Sequence, residues 1–172
     1  MKNKINDLLF DVRRSVRYHR HRQRFFTRLH VITTAGSLFM GASVVASILA
    51  NHQTLALYAG AFVAALSAID LIVGFSNKIR LHSDLARRFI NLESEIITLS
   101  DAASSNYDRL YASRLSIEAD EPPILRVLDS LCYNEMLRAE GYDKNEYVQI
   151  SSTQKIFSNW FDYRQDTIQK NN

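Results

Sequence analysis

The chain has 172 residues, about one ordinary domain, with 47% hydrophobic and 23% charged side chains, five Gly, two Pro and one Cys. So few turn formers exclude a turn-rich all-β fold, and a lone thiol, Cys132, excludes an internal disulfide and any CxxC metal site. Charge is segregated against a uniform soluble enzyme: residues 1–28 hold nine Lys and Arg beside Asp7 and Asp11, residues 29–75 carry only Asp70, and residues 76–172 hold 12 basic and 15 acidic groups.

Residues 1–28 read as a basic amphipathic cytoplasmic helix, because Ile5, Leu8, Leu9, Val12 and Val16 recur at helical spacing. On that helix Arg13, Arg17, Arg20, Arg24 and Arg28 share one face, with Tyr18, Phe25 and Leu29 well round from it. Three partners suit such a stripe. Anionic lipid headgroups gain about 1 kcal/mol per basic residue near the membrane surface. Asp84, Glu93 or Glu95 could pair with it within the chain, or it could bind an anionic ligand such as a nucleotide. Nucleic acid is the least favoured partner. His19 and His21 point about 200° apart on a helix and cannot share an ion.

Val31 to Ile69 is a run of 39 residues without Asp, Glu, Lys or Arg. A helix crosses the hydrocarbon core in about 20 apolar residues, so the run is long enough for two spans. They are expected at 29–50 and 55–75, as an antiparallel transmembrane hairpin over 29–75, interrupted by Asn51-His52-Gln53-Thr54. Arg20, Arg22, Arg24 and Arg28 precede the first span, Lys78, Arg80, Arg87 and Arg88 follow the second, and the connection has no cation. Positive charge marks the cytoplasmic side, which places both termini in the cytoplasm. Small residues recur every four positions: Ser37 and Gly41, then Ala42, Ala46 and Ala50, in the first span; Ala56, Gly60, Ala64 and Ala68 in the second. Such stripes allow close helix approach in lipid. They serve either the hairpin or a homo-oligomer, and two helices alone cannot enclose an aqueous path. Asp70 is the charged exception. It costs several kcal/mol in a span unless it neutralises, pairs or faces water. Arg28 or His30 could reach it, or it could line a pore in an oligomer.

After the second span, Leu85, Phe89, Leu92, Ile96 and Leu99 keep helical spacing, and with Ala103 and Leu110 they predict one long cytoplasmic helix over 76–116. The hairpin would then continue as a paired stalk. Cytoplasmic helices are expected over 117–172. One follows Pro122-Pro123, has Ile124, Leu125, Leu128, Leu131, Cys132 and Leu137 as its buried face, and stops at Gly141. A last helix starts near Ser151 or Ser152, with Ile156, Phe157, Trp160 and Phe161 as its apolar stripe. The fold class is all-α.

No sequence pattern points to an enzyme. HExxH, P-loop and GxSxG motifs are absent, and Ser152-x-x-Lys155 fits a helix start better than a nucleophile. Trp160, Phe161 and Tyr163 read as packing residues. No catalytic, cofactor or metal residue is assigned.

Several polar motifs flank the apolar pair. Arg14-Ser15-x-Arg17-Tyr18-His19-x-x-Arg22-x-x-Phe25-Phe26 enters a span containing Gly36-Ser37. Ala68-x-Asp70-Leu71, Gly74-Phe75-Ser76, Arg80-Leu81-His82-x-Asp84-Leu85, Arg87-Arg88-Phe89 and Leu92-Glu93 follow, then Glu121-Pro122-Pro123 and Leu131-Cys132-Tyr133-Asn134-Glu135. Over roughly residues 8–140 this combination resembles the SLATT superfamily, small bacterial proteins with two membrane helices and a cytoplasmic helical extension. The resemblance implies a pore-forming effector of antiphage defence, which permeabilises the inner membrane during abortive infection. It also implies a defence-system partner protein or a nucleotide signal, and it brings no catalytic residues. The expectation is a homo-oligomeric membrane effector. The rival is a non-conducting membrane anchor or adaptor that recruits a soluble defence partner, and a soluble bundle with a buried hairpin is a third reading.

Overall fold

A computed structural model describes residues 2–99 and 106–168. The described residues form helices α1 (Lys2–Leu49), α2 (Gln53–Val73), α3 (Phe75–Leu99), α4 (Tyr107–Glu118), α5 (Arg126–Ala139) and α6 (Ser152–Phe157). Short 3-10 turns lie at Lys144–Glu146 and Gln165–Thr167, and no strand is present among the described residues. The protein is all-helical, with two long apolar helices. It divides into two compact units, residues 23–81 and residues 1–22 with 82–172.

In the unit of residues 23–81, α1 and α2 are joined by a tight reversal. The His52 N–H donates to the Ser47 carbonyl and the Asn51 N–H to that of Ile48, and Asn51 lies in the left-handed region at φ 59°. This is a Schellman closure, where Asn serves because its short polar side chain tolerates that conformation. The seam buries Thr33, Ser47 and Ala59. At Gly36 an added Cβ would lie 3.2 Å from Leu66 Cδ1, so the helices approach closely there.

The predicted small-residue stripe is placed differently. Ser37, Gly41 and Gly60 are half-buried and Ala42, Ala46, Ala64 and Ala68 are exposed; a Cβ on Gly41 or Gly60 would meet nothing within 4 Å. Thr33, Gly36, Ser47 and Ala59 make the intrachain seam instead, because α2 meets α1 through a neighbouring row of its surface. The apolar remainder is uncovered: Leu38 is 77% exposed, Phe39 74%, Leu71 84% and Ile72 83%. Gly74, at φ 63°, separates α2 from α3 and keeps an N–H bond to the Asp70 carbonyl. Beyond it Phe75 is buried, and Lys78 Nζ stands 5.5 Å from the Phe26 ring centroid.

In the unit of residues 1–22 and 82–172, the expected apolar stripes do meet. Leu8 and Val12 of α1, Leu85, Phe89, Leu92 and Ile96 of α3, and Leu110 and Ile117 of α4 form one core. The single helix expected over 76–116 is not what is found. Arg109 of α4 bonds Glu95 at 2.5 Å, and Arg88 of α3 bonds Asp120 at 2.5 Å. In one continuous helix Arg109 would lie about 21 Å from Glu95. α4 therefore runs antiparallel to α3; Ala103, expected on the continuous helix, lies outside the described residues. In that direction Leu110 and Ile117 bury against the apolar rows of α1 and α3.

α5 begins at Arg126, three residues later than Pro123, so Ile124 precedes the helix and is 47% exposed instead of buried. Its start has no local side-chain cap. Asp162 supplies one from 35 residues away, accepting the Val127 N–H at 3.0 Å, while Leu125 N–H donates to the Tyr18 hydroxyl at 2.9 Å. Gly141, at φ 81°, closes the helix with the Tyr142 N–H on the Leu137 carbonyl. Asn134 then pins the following segment, exchanging two hydrogen bonds with the Val148 backbone. α6 starts with a reciprocal Ser151–Gln154 capping box and lasts only one and a half turns. Ile156, Phe157, Trp160, Phe161 and Tyr163 do not bury as an apolar stripe; Ile156 is 69% and Trp160 59% exposed. So short a helix cannot present them together to the core, and Phe157 stacks on Phe161 instead, with Tyr163 tilted against the first ring and edge-on to the second.

Candidate functional site

Within the unit of residues 23–81, Asp70 supplies the one carboxylate between residues 29 and 75. Its Oδ1 lies 3.2 Å from His30 Nδ1. The sequence admitted Arg28 or His30 as partner, and the geometry selects the imidazole: His30 and Asp70 sit on facing rows of α1 and α2, whereas Arg28 is exposed. Beside the pair is a surface cavity of about 490 Å³, lined by Thr33, Thr34, Ser37, Leu66, Ser67 and Asp70 among others. The hydroxyls of Thr33 and Ser43 donate to carbonyls one turn back, on Leu29 and Phe39, which hides their polarity on the helix itself. The result is one polar notch, with an ionisable pair at its edge, in an otherwise apolar hairpin.

The five arginines of the predicted basic face separate by role. In the larger unit, Arg13 Nε bonds Glu93 at 2.7 Å and its Nη1 lies 3.9 Å from Glu140, and Arg17 Nε contacts Met136 Sδ at 2.9 Å. With Arg20 they line a surface cavity of about 380 Å³ whose floor includes Glu93, Met136 and Glu140. Arg20, Arg24 and Arg28 are exposed, and none makes an ion pair among the described residues. Intrachain pairing thus takes the Arg13 end of the stripe, through Glu93. Glu95 pairs with Arg109 instead.

Sequence reasoning missed a buried polar network in the same unit. His19 is fully buried and His82 is 3% exposed, with their Nδ1 atoms 3.0 Å apart. His19 Nε2 lies 2.8 Å from Glu121 Oε1, and its ring stacks on Phe89 with centroids 5.6 Å apart. With Nε2–H donated to the carboxylate, the Nδ1···Nδ1 contact needs one proton, from either ring. Sequence separations of 63 and 102 residues hid these contacts; the signal available was polar residues at positions of the buried helical rows.

His21 points to a different partner, as its angle from His19 requires. Its Nε2 lies 3.1 and 3.2 Å from the two Glu135 carboxylate oxygens. That bond holds the Glu135 carboxyl below its usual range, against the upward pull of burial. Cys132, one turn earlier on α5, is fully buried, and its burial pushes the thiol well above its usual range. One ligand-type atom from each of His21, Cys132 and Glu135 falls within 4.8 Å of the others, the one such group of three among the described residues. Ser151, not Ser152, caps α6, and Ser152 and Lys155 are both exposed. Compared with protein-family models, with curated proteins and with solved structures, the chain matches none.

Proposed function

We propose that this chain is an integral protein of a bacterial inner membrane, with α1 and α2 crossing the bilayer and both termini cytoplasmic, and that copies of it assemble into a pore or membrane-disrupting effector of antiphage defence. The observation that carries the reading is uncovered apolar surface. Only 6% and 11% of the most apolar eighteen residues of the two long helices are buried, whereas a core helix of a soluble protein hides most of such a surface. At about 25 cal/mol per Å², leaving Leu38, Phe39, Leu71 and Ile72 in water is costly, and lipid removes that cost. Both helices are long and apolar enough to cross a bilayer, and cations flank their outer ends but not the Asn51 turn. Exposed Ala42, Ala46, Ala64 and Ala68 leave small-residue rows for neighbouring copies, and the Asp70 notch supplies polarity that an assembled lumen needs. The SLATT-like motifs supply the defence context.

Following membrane potential in cells after induction tests the pore. Depolarisation that is altered by Asp70→Asn supports it, and toxicity without depolarisation removes it. The His30–Asp70 pair favours a second reading, since a carboxylate satisfied within the chain needs no lumen. In that reading the spans only anchor the helical unit at the inner leaflet, where it recruits a soluble partner. Replacing residues 23–81 by an unrelated membrane hairpin separates the two: an adaptor keeps its function and a pore loses it.

A further inference from the structure

We propose that His21, Cys132 and Glu135 bind a divalent transition-metal ion of the zinc class, clamping α1 to α5. Separation on the helices makes the set. Cys132 and Glu135 are three residues apart on α5 and so share a face, and His21 projects onto that face from α1. Tetrahedral zinc bound by nitrogen and oxygen at about 2.0 Å and by sulfur at about 2.3 Å holds its ligands about 3.3 Å (N–O) and 3.6 Å (S–N) apart. The observed His21 Nε2 to Glu135 separations of 3.1 and 3.2 Å already match the first edge. They are long for a charge-assisted hydrogen bond, which shortens to about 2.7–2.9 Å, and the nitrogen is nearly equidistant from both oxygens. Closing the set requires the sulfur to move inward from a span of at most 4.8 Å by roughly 1 Å, within reach of a side-chain rotation.

The donors are a sulfur, an imidazole nitrogen and a carboxylate, a combination that selects zinc-like ions over magnesium or calcium. Access is open on one side: the His21 and Glu135 side chains are 33% and 38% exposed, while Cys132 forms the buried floor. Three protein ligands leave a fourth position for water. Coordination releases the thiol proton to solvent and takes His21 as the neutral tautomer, with its proton on Nδ1 and the Nε2 lone pair, together with the Glu135 carboxylate, turned to the metal. The thiolate and carboxylate together balance the ion's two charges. Arg17 acts on both acidic groups and favours their charged forms. The sequence excluded only the CxxC type of site; a set assembled across 114 positions has no spacing signature.

Full-length protein, purified in detergent and stripped with chelator, is titrated with Co²⁺ as the spectroscopic probe. The expected result is one equivalent bound, with a thiolate-to-cobalt charge-transfer band that Zn²⁺ bleaches by displacement. Cys132→Ser should lose the band, and His21→Gln or Glu135→Gln, both at half-exposed positions, should weaken binding at least about 10-fold. Helical circular dichroism reports whether each variant is folded. Wild-type protein that binds no cobalt, or binds it without the charge-transfer band, overturns the proposal. So does a band that persists in folded Cys132→Ser, or full affinity in folded His21→Gln and Glu135→Gln. The assay needs no bilayer and is independent of the membrane reading.

Discussion

Replacing His19 by Leu should be among the most destabilising single substitutions in this protein. The imidazole is fully buried, and Glu121, its carboxylate partner, is only 7% exposed at the side chain. Leucine has similar bulk and can still pack against Phe89, so lost volume contributes little. What is lost is the donor 2.8 Å from Glu121 and the partner 3.0 Å from His82 Nδ1. Removing one member of a buried polar pair costs about 3–5 kcal/mol, because the other stays desolvated without compensation. At about 2–4 °C per kcal/mol for a chain of this size, the unfolding midpoint should fall by roughly 6–20 °C. Thermal unfolding of the full chain in detergent, followed by helical circular dichroism, reads the shift. Glu121→Gln keeps an oxygen acceptor for His19 and should cost only about 1 kcal/mol. The double variant His19→Leu/Glu121→Leu removes donor and acceptor together and should be more stable than His19→Leu alone. A His19→Leu midpoint within about 2 °C of wild type, or a double variant no better than the single, would refute the reasoning.

Other consequences follow from single contacts. Tyr18→Phe leaves the Leu125 N–H at the start of α5 without its acceptor, and should lower stability by about 1–3 kcal/mol in denaturant titration; an unchanged midpoint would mean the hydroxyl is dispensable. Asp129 lies 3.2 Å from Arg14 Nε, but that nitrogen lacks hydrogen-bond alignment, and burial raises the carboxyl above its ordinary range more than Arg14 lowers it. A raised folded value means Asp129 contributes most stability below the unfolded carboxyl range, about pH 4, and loses it as pH rises through the folded value. Asp129→Asn should therefore be more stable than wild type at pH 7 and lose that advantage below about pH 4; midpoints with the opposite order at pH 7 would contradict this. Gly74→Ala meets no atom closer than 3.7 Å, so its cost of about 1–2 kcal/mol should come from the φ of 63° alone, measurable as a midpoint shift. Gly60→Ala has open space and should be neutral or stabilising in the isolated chain. A loss of assembly on native gels would show that a second copy covers that face, and unchanged assembly would show that it does not.

Hydrophobic periodicity and charge placement determine much of this protein locally. The all-helical class, the two apolar helices, the reversal near Asn51, the stop at Gly141 and the core rows of α1 and α3 are legible in residue order alone, because each depends on neighbours three or four positions away. The basic face on residues 13–28 is legible for the same reason. Only tertiary structure decided which arginines are consumed by Glu93, that Gly36 and not Gly41 or Gly60 makes the close approach, and that His30 meets Asp70. It also folded α4 back on α3, since Leu110 fits a straight helix and a reversed one equally well by spacing. The His82–His19–Glu121 network and the His21–Cys132–Glu135 set join residues 63 to 114 positions apart. Their geometry arises from packing directions that no local pattern encodes.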